Sequence, residues 1–188
     1  MALLGSDYKH MKQVDIAPDF SLLGVDGAFH ARNDIKGSKA TLIIFMCNHC
    51  PYVLPKMKEI KRIVDTFSSK GLSVIGINSN ESQNYPEDSY EKMQEYFDEW
   101  GIDFQYLHDE SQEIAREYGA VCTPDLFLFD TDLKLLFHSR IDDTHGKEHA
   151  NRHEMFEVIQ KYLSSGIIVL EESPSMGCSI KWNNEEIN

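Results

Sequence analysis

Four consecutive residues, Cys47-Asn48-His49-Cys50, have the types and spacing of a redox-active dithiol. They follow the apolar, β-favouring run 41–46, and the segment after them has the apolar spacing of an amphipathic helix. A dithiol at such a junction places its first sulfur beside the unpaired N–H groups and the positive dipole end of a helix. A thiolate is favoured over a thiol at that position. The position of the motif therefore indicates redox chemistry more strongly than its spacing does.

Cys47 is predicted to be the nucleophile, because only a thiolate attacks a disulfide. His49, when protonated, could lower the pKa of Cys47 further, and Asn48 could add a hydrogen-bond donor. Cys50, one helical turn later, is placed to resolve the mixed disulfide by attacking Cys47. The sequence thus predicts a thiol–disulfide oxidoreductase that uses no cofactor beyond the two thiols.

The alternative of a different class is a metal-binding protein that uses Cys47, Cys50 and a histidine. A closed structural zinc site takes four ligands, usually with a second cysteine pair at similar spacing, whereas the other two cysteines of this chain stand alone. A second metal hypothesis rests on His145, His149 and His153, which would share one face of the last helix if that helix began early enough. The sequence favours a solvated turn at these histidines and a redox role for the dithiol.

Composition limits the other classes of function. The chain has 188 residues, of which 41% are hydrophobic and 26% charged, and these values fit one globular domain. A formal net charge of −13 argues against nucleic acid or an anionic membrane as a partner. Neither a targeting segment nor an apolar run long enough to span a membrane is visible. With four cysteines and no secretion signal, we expect a cytoplasmic protein.

Strands and helices are predicted to alternate along the chain and to end in a hairpin and a helix, which gives an α/β fold with a mixed sheet. The predicted elements are a strand at 41–46, a helix at 51–69 that Pro55 should kink, a strand at 72–78 parallel to the first, a helix near 86–100, a strand at 104–107, a helix at 111–118, a hairpin of strands 126–129 and 133–137, and a helix at 148–164.

This order of elements, with Cys-x-x-Cys between strand and helix and Thr123-Pro124 before the hairpin, resembles the thioredoxin fold. Residues 17–20 (APDF) resemble the opening of its peroxiredoxin-like branch, the alkyl hydroperoxide reductase/thiol-specific antioxidant (AhpC/TSA) superfamily. Residues 140–143 (RIDD) and 174–182 (PSMGCSIKW) are similar to segments of uncharacterised bacterial thioredoxin-like proteins within that branch. The resemblance covers nearly the whole chain.

The resemblance implies one thioredoxin-like domain over residues 16–166, with a central mixed sheet flanked by helices, an N-terminal β extension and an inserted helix. Residues 1–15 would form a poorly anchored lead, and residues 167–188 a tail that carries Cys178. Pro124 would be a cis-proline facing the dithiol, with Thr123 packed near Cys47. The backbone of Thr123 could then pair with an extended substrate chain that passes the sulfurs.

Two departures from thioredoxin affect the chemistry expected here. Met46 stands where thioredoxin has tryptophan before its first cysteine, and run 41–46 lacks the buried aspartate that accepts a proton in thioredoxin. The proton of Cys50 must therefore pass to another group, to water or to the substrate. Glu81, just after the strand at 72–78, is one candidate, although a solvated loop carboxylate is the favoured interpretation.

A thiol peroxidase is the alternative within the same superfamily, and it would give the protein antioxidant activity through sulfenic acid at Cys47, resolved by Cys50 or Cys178. Peroxiredoxins place proline seven residues and threonine three residues before the peroxidatic cysteine. The corresponding residues are Ala40 and Ile44 before Cys47, and neither residue before Cys50 fits better. Local sequence therefore disfavours efficient peroxide reduction.

Cys178 has two interpretations of equal weight: a mobile third thiol that exchanges with Cys47 or relays electrons, or a small apolar residue that pins the tail, with Trp182 as an anchor. Cys122, before the predicted cis-proline, is interpreted as a packed cysteine.

Asp142 and Asp143 could cap the last helix, and Arg140 could pair with one of them. The expected partners of the protein are a protein or small-molecule disulfide and a thiol reductant. The sequence leaves open the direction of transfer and the oligomeric state.

Overall fold

The computed structural model of the protein describes residues 3–7, 10–144, 146 and 149–183. Its strands are β1 (Leu3–Gly5), β2 (Ser21–Gly24), β3 (Phe29–Ala31), β4 (Ala40–Phe45), β5 (Leu72–Asn78), β6 (Gln105–His108), β7 (Cys122–Thr123), β8 (Asp125–Phe129), β9 (Leu135–Ser139) and β10 (Met176–Ser179). Its α-helices are α1 (Arg32–Ile35), α2 (Met57–Phe67), α3 (Tyr90–Trp100), α4 (Glu113–Tyr118) and α5 (Glu154–Ser165). Three single turns of 3₁₀-helix lie at Leu54–Lys56, Ser68–Lys70 and Pro86–Asp88.

Seven strands form the central sheet in the order β3-β2-β6-β5-β4-β8-β9. Strand β5 runs parallel to β4 and β6, whereas the pairs β4–β8, β8–β9, β2–β6 and β2–β3 are antiparallel. Every residue of β4 is buried, which is why its sequence is continuously apolar rather than alternating. The predicted α/β class with a central mixed sheet is confirmed.

Helices cover both faces of this sheet and make two hydrophobic cores. Leu42 and Ile44 of β4 face the core that includes α2 and α5, whereas Ile43 and Phe45 face the core that includes α4. All four side chains are fully buried, and each such burial contributes about 1.5–3 kcal/mol. Because both faces are covered, β4 is fixed in position and direction, and the dithiol follows directly from its end.

The helix after the dithiol begins later than predicted. The sequence predicts a helix from Pro51 with a kink at Pro55, but regular α-helix starts only at Met57, after a loop and one 3₁₀ turn. Pro55 has no backbone N–H and its ring clashes with the preceding turn, so an α-helical ladder cannot run through it. The prediction of a helix N-terminus directly at the dithiol was therefore wrong.

The last helix also begins later than predicted, at Glu154 rather than near residue 148. His149 lies before the helix and His153 immediately precedes its first turn, so these two histidines do not share a helix face. His145 lies outside the described residues. The metal hypothesis, which needed these histidines on one helix face, therefore gains no support from His149 and His153.

Ionic contacts of the segment before α5 differ from those predicted. Arg140 hydrogen-bonds to Glu154, with Nε 2.6 Å from Oε2, rather than to an aspartate. Asp142 accepts hydrogen bonds from the buried ammonium of Lys56, and Asp143 accepts one from the backbone N–H of Asn151. Neither aspartate caps α5, so both parts of that prediction were wrong.

A second, three-stranded sheet joins the two terminal segments to the domain in the order β1-β10-β7. Leu3 to Gly5 pair antiparallel with Cys178 to Met176, so this part of the lead is anchored rather than loose. The domain boundaries at residues 15 and 166 stay a prediction. Within the part of the chain that the structure describes, no helix is long and apolar enough to cross a membrane.

Candidate active site

The two cysteines of the dithiol lie between the end of β4 and the 3₁₀ turn, facing the loop before β8. Both are free thiols, and each residue is only 1% exposed. The Cys47 sulfur lies 3.4 Å from the hydroxyl oxygen of Thr123, and the Cys50 sulfur lies 3.4 Å from the carbonyl oxygen of Thr123. The Thr123–Pro124 peptide bond is cis, as predicted. The fold thus brings all four of these residues together.

A buried carboxylate holds the loop between the two cysteines. Asp88 Oδ1 accepts the backbone N–H of Asn48 at 2.9 Å and lies 3.1 Å from Nδ1 of His49. Asp88 Oδ2 accepts a hydrogen bond from the side-chain amide of Asn80 at 2.7 Å. Asp88 has no exposed surface. The dithiol loop is therefore clamped to the segment between β5 and α3.

Asn48 is an anchor of this loop rather than a donor to a sulfur. Its side-chain amide donates to the carbonyl of Glu87 at 2.8 Å, and its side-chain oxygen accepts from the Tyr106 hydroxyl at 2.7 Å. With the backbone N–H bound to Asp88, all of its amide groups are engaged in holding the loop. The prediction that Asn48 donates to Cys47 was wrong.

His49 is the only side chain of the motif with substantial exposure, about one quarter of its surface. Its Nδ1 contacts Asp88, so the ring is directed toward the carboxylate rather than toward a sulfur. An imidazolium there would lie next to a carboxylate, which offsets its charge. The structure therefore gives His49 a place in the loop clamp.

The order of the two cysteine pKa values is opposite to the expected one, in which Cys47 has the lower pKa. The hydrogen bond to Cys50, followed by burial and the negative charge of Asp88, raises the pKa of Cys47 well above its ordinary value. The same sulfur–sulfur hydrogen bond lowers the pKa of Cys50 to about 5 against burial, with help from Thr123, Cys178 and the N–H of Tyr52. These shifts favour a thiolate at Cys50 over one at Cys47, with the thiol of Cys47 donating to it.

Strand β10 of the tail covers the dithiol from the other side. It pairs antiparallel with β7, so that Cys178 lies opposite Thr123 and Ser179 opposite Cys122. The backbone of Thr123, which the sequence assigns to a substrate chain, is thus paired with the tail of the protein itself. A Cβ atom on Gly177 would overlap the carbonyl of Thr123, so only glycine permits this approach.

Cys178 is buried in this strand, and its thiol hydrogen-bonds with the sulfur of Cys50. Burial is the main cause that raises the pKa of Cys178, to about 12. Cys178 is held in a paired strand rather than on a mobile tail, and its predicted role as a third redox thiol stays a prediction. Trp182 further along the tail stacks under the guanidinium of Arg116, 4.2 Å from the ring centroid.

The other groups considered from the sequence take no direct part in this arrangement. Cys122 is fully buried in β7, and burial raises the pKa of its thiol far above the ordinary value. The Glu81 carboxylate accepts the backbone N–H of Asn84 at 3.0 Å and lines a separate polar cleft. The acid that acts on the dithiol is Asp88, which sequence reasoning missed.

Among the residues that the structure describes, no group of three or more His, Cys, Asp or Glu side chains is arranged to hold a metal ion. The metal-binding alternative therefore gains no support from this part of the chain.

Comparison with known proteins adds a family and relatives. Residues 14–138 match the model of the AhpC/TSA family. The thiol-disulfide oxidoreductase ResA of Geobacillus thermodenitrificans is 28% identical to this chain over 121 residues. That match covers 63% of this chain and 64% of the relative, so the chain spans less than two thirds of the relative's length.

Solved structures agree with the fold. An uncharacterized conserved protein from Geobacillus kaustophilus is 38% identical, with a TM-score of 0.89 and 99% of both chains covered. The thioredoxin domain of a thiol-disulfide oxidoreductase from Bacteroides vulgatus superposes with a TM-score of 0.63 at 17% identity, covering 81% of this chain and 99% of that one. The thioredoxin-like fold predicted from the sequence is confirmed. Because the family match extends over more than half of the residues, this chain belongs to the AhpC/TSA family.

Proposed function

We propose that this protein is a thiol–disulfide oxidoreductase whose redox couple is Cys47 and Cys50. The observation that carries the proposal is the contact between two free thiols beside the cis Thr123–Pro124 bond, with one sulfur on the hydroxyl and the other on the carbonyl of Thr123. The similarity to a protein named thiol-disulfide oxidoreductase supports the same activity.

In the first step, Cys47 attacks a substrate disulfide and its proton passes to the thiolate of Cys50. The bond between Cys47 and one substrate sulfur forms as the substrate S–S bond breaks, and the electron pair leaves with the far sulfur. Cys50 suits the role of base because its thiolate accepts a hydrogen bond from Cys47 before the reaction. The hydrogen bond gives the proton of Cys47 a direct path to Cys50 as the new S–S bond forms.

In the second step, Cys50 attacks the sulfur of Cys47 and resolves the mixed disulfide. The Cys47–Cys50 bond forms, the bond to the substrate breaks, and the departing substrate sulfur takes the proton of Cys50. Two electrons and the single proton of the reduced pair have then passed to the substrate, and the substrate sulfur that left first takes its proton from the solvent. The N–H of Tyr52, 3.4 Å from the Cys50 sulfur, stabilises the attacking thiolate.

A thiol peroxidase remains the weaker alternative. Membership of the AhpC/TSA family favours it, but the surroundings of Cys47 oppose it. A peroxidatic cysteine must be ionised to attack peroxide. The carboxylate of Asp88 raises the pKa of Cys47, which disfavours that ionisation.

The activity is tested by replacing Cys47 with serine and measuring reduction of an insulin disulfide driven by dithiothreitol. We expect the variant to fall to the rate without protein, because the attacking sulfur is lost. Cys122→Ala is the matched control, since it removes an equally buried cysteine outside the couple. Full activity of the Cys47 variant would contradict the assignment. Rapid peroxide consumption by the wild-type protein with a thiol reductant would favour the peroxidase instead.

The substrate class proposed is a protein or small-molecule disulfide, with a thiol as the final reductant. We propose the cytoplasm as the compartment, because four cysteines without a disulfide framework fit a reducing environment. Cell fractionation followed by alkylation would test this assignment. Recovery of the protein in an extracytoplasmic fraction would contradict it.

A further inference from the structure

Three sulfurs, rather than two, meet at the dithiol. The Cys50 sulfur hydrogen-bonds with Cys47 on one side and with Cys178 on the other. The backbone gives the same result independently, because Cys178 is paired opposite Thr123 and the Thr123 carbonyl lies 3.4 Å from the Cys50 sulfur. Cys50 is thus the sulfur that Cys47 and Cys178 share as a neighbour, and it can bond to either of them.

We propose that Cys178 is a third redox residue of this protein, which exchanges with the Cys47–Cys50 disulfide to form Cys50–Cys178 and release Cys47. This inference rests on the proposed function and deepens it. It gives the tail a chemical part in the reaction, in addition to its packing over the site.

The exchange balances without any added oxidant or reductant. The sulfur of Cys178 attacks that of Cys50, the Cys50–Cys178 bond forms, and the Cys47–Cys50 bond breaks with its electron pair on Cys47. The proton lost by Cys178 ends on Cys47. Burial and the charge of Asp88 favour the protonated form of Cys47, so this sulfur retains the proton once released.

Oxidation of the dithiol also removes a group that opposes ionisation of Cys178. In the reduced protein the hydrogen bond with Cys50 and its negative charge raise the pKa of Cys178, after burial, whereas the ammonium of Lys181 lowers it. A disulfide at Cys50 carries no charge, so the influence of Lys181 then acts without that opposition. Cys178 is accordingly a better nucleophile when there is a disulfide to attack.

Packing alone does not require a sulfur at position 178. The close approach of β10 to β7 is provided by Gly177. Cys122 offers the comparison within the same sheet, because it is equally buried and lies on the paired strand. The direct contact with the sulfur of Cys50 is the feature that distinguishes Cys178.

The experiment uses the Cys47→Ser variant, equilibrated in a glutathione redox buffer, alkylated and mapped by mass spectrometry. We expect an intramolecular Cys50–Cys178 disulfide. The matched variant Cys47→Ser with Cys178→Ala should form none, although Cys122 is still present. An oxidised wild-type sample supplies the second measurement, in which a fraction of the molecules should show alkylated Cys47 together with the Cys50–Cys178 bond.

The outcomes separate this inference from the proposed function. A wild-type protein that forms only Cys47–Cys50, with no intramolecular disulfide in the Cys47→Ser variant, overturns the role of Cys178 and leaves the oxidoreductase intact. A Cys50–Cys122 bond in its place overturns it as well. A wild-type protein that forms no intramolecular disulfide at any ratio of oxidised to reduced glutathione overturns both proposals.

Discussion

The two sulfurs of the dithiol have different surroundings, although only two residues separate them. The Cys47 side is built from the segment between β5 and α3, where Asp88 and Asn80 bring a buried carboxylate close to the sulfur. The Cys50 side has two hydrogen-bond donors, the N–H of Tyr52 and the thiol of Cys178, beside the carbonyl oxygen of Thr123. The distribution of acidity in a Cys-x-x-Cys motif therefore depends on the distant segments that fold against it.

The late start of α2 explains why the motif alone misleads. A helix dipole stabilises an anion only within about the first turn of the helix. Here Pro55 postpones regular α-helix to Met57, ten residues after Cys47, so the positive end of α2 is not at that sulfur. The hydrogen bond to Cys50, burial and the carboxylate of Asp88 then together raise the pKa of Cys47 and disfavour its thiolate.

Replacement of Gly177 by valine should disrupt the strand that covers Cys50 and produce the largest effect of the three variants. A side chain there overlaps the carbonyl of Thr123, which belongs to the backbone and cannot move aside cheaply. We expect β10 to detach, with a loss of about 1–3 kcal/mol in the free energy of unfolding. Alkylation of the dithiol in the folded protein should become at least about tenfold faster, which corresponds to an opening made about 1.4 kcal/mol easier.

Gly101→Ala is the control for this prediction. Gly101 has a φ of 57° and open space around it, so alanine costs stability there without approaching the dithiol. Its alkylation rate should stay at the wild-type value. An unchanged alkylation rate in Gly177→Val would show that the tail does not limit access to the sulfurs.

Replacement of Asp88 by asparagine tests the surroundings of Cys47, and its effect should be intermediate among the three variants. Asparagine keeps a side-chain oxygen for the N–H of Asn48 but removes the negative charge that disfavours a thiolate. The pKa of Cys47 should therefore fall, so its thiolate forms at lower pH than in the wild type. The ultraviolet absorbance of the thiolate, followed against pH in the reduced protein, measures this shift.

The wild-type titration should begin with one thiolate near pH 5, which belongs to Cys50. Asp65→Asn is the matched control, since Asp65 is an exposed acid paired with Lys61 on α2. It should leave the titration unchanged. If Cys47 ionises at the same pH in Asp88→Asn and in the wild type, Asp88 does not affect the pKa of Cys47.

Replacement of Tyr106 by phenylalanine should have the smallest effect of the three. It deletes the hydroxyl that donates to the side-chain oxygen of Asn48 at 2.7 Å and leaves that buried acceptor without this partner. The net loss of one hydrogen bond costs about 1 kcal/mol. Urea unfolding measures it, with Tyr96→Phe as control because the Tyr96 hydroxyl donates to the exposed carboxylate of Glu87. Equal stability of the two variants would contradict a role for Tyr106 in the loop.

Much of the fold can be predicted from the sequence, because apolar runs and helix-ending residues mark strands and helices within a few positions. The buried strands β4 and β5 are continuous apolar runs, and their bounds differ from the predicted ones by at most one residue. Helix α3 ends at Trp100, as predicted, with Gly101 after it in the left-handed conformation. It begins at Tyr90 rather than near residue 86, because the hydroxyl of Ser89 accepts the N–H of Lys92 and caps the helix there. The cis peptide bond before Pro124 follows from the resemblance rather than from the dipeptide.

The parts of the site that the sequence did not reveal depend on contacts between distant residues. Asp88 is forty positions from Asn48 and looks like one more acid at the start of a helix. The pairing of β10 with β7 joins residues more than fifty positions apart and leaves no periodic pattern in a strand of four residues. Only Gly177 next to Cys178 hints at a close approach of backbones.

The fixed position of β10 beside the dithiol also affects how fast its thiol can react. A thiol held in contact with its target sulfur reacts as though it were present at an effective concentration on the order of 10⁵ M or more when the geometry is well aligned. No dissolved thiol approaches that value. If a small thiol formed a mixed disulfide with Cys50, the thiol of Cys178 would displace it before another dissolved thiol reached the site. The protein would thereby be protected from accumulating such adducts.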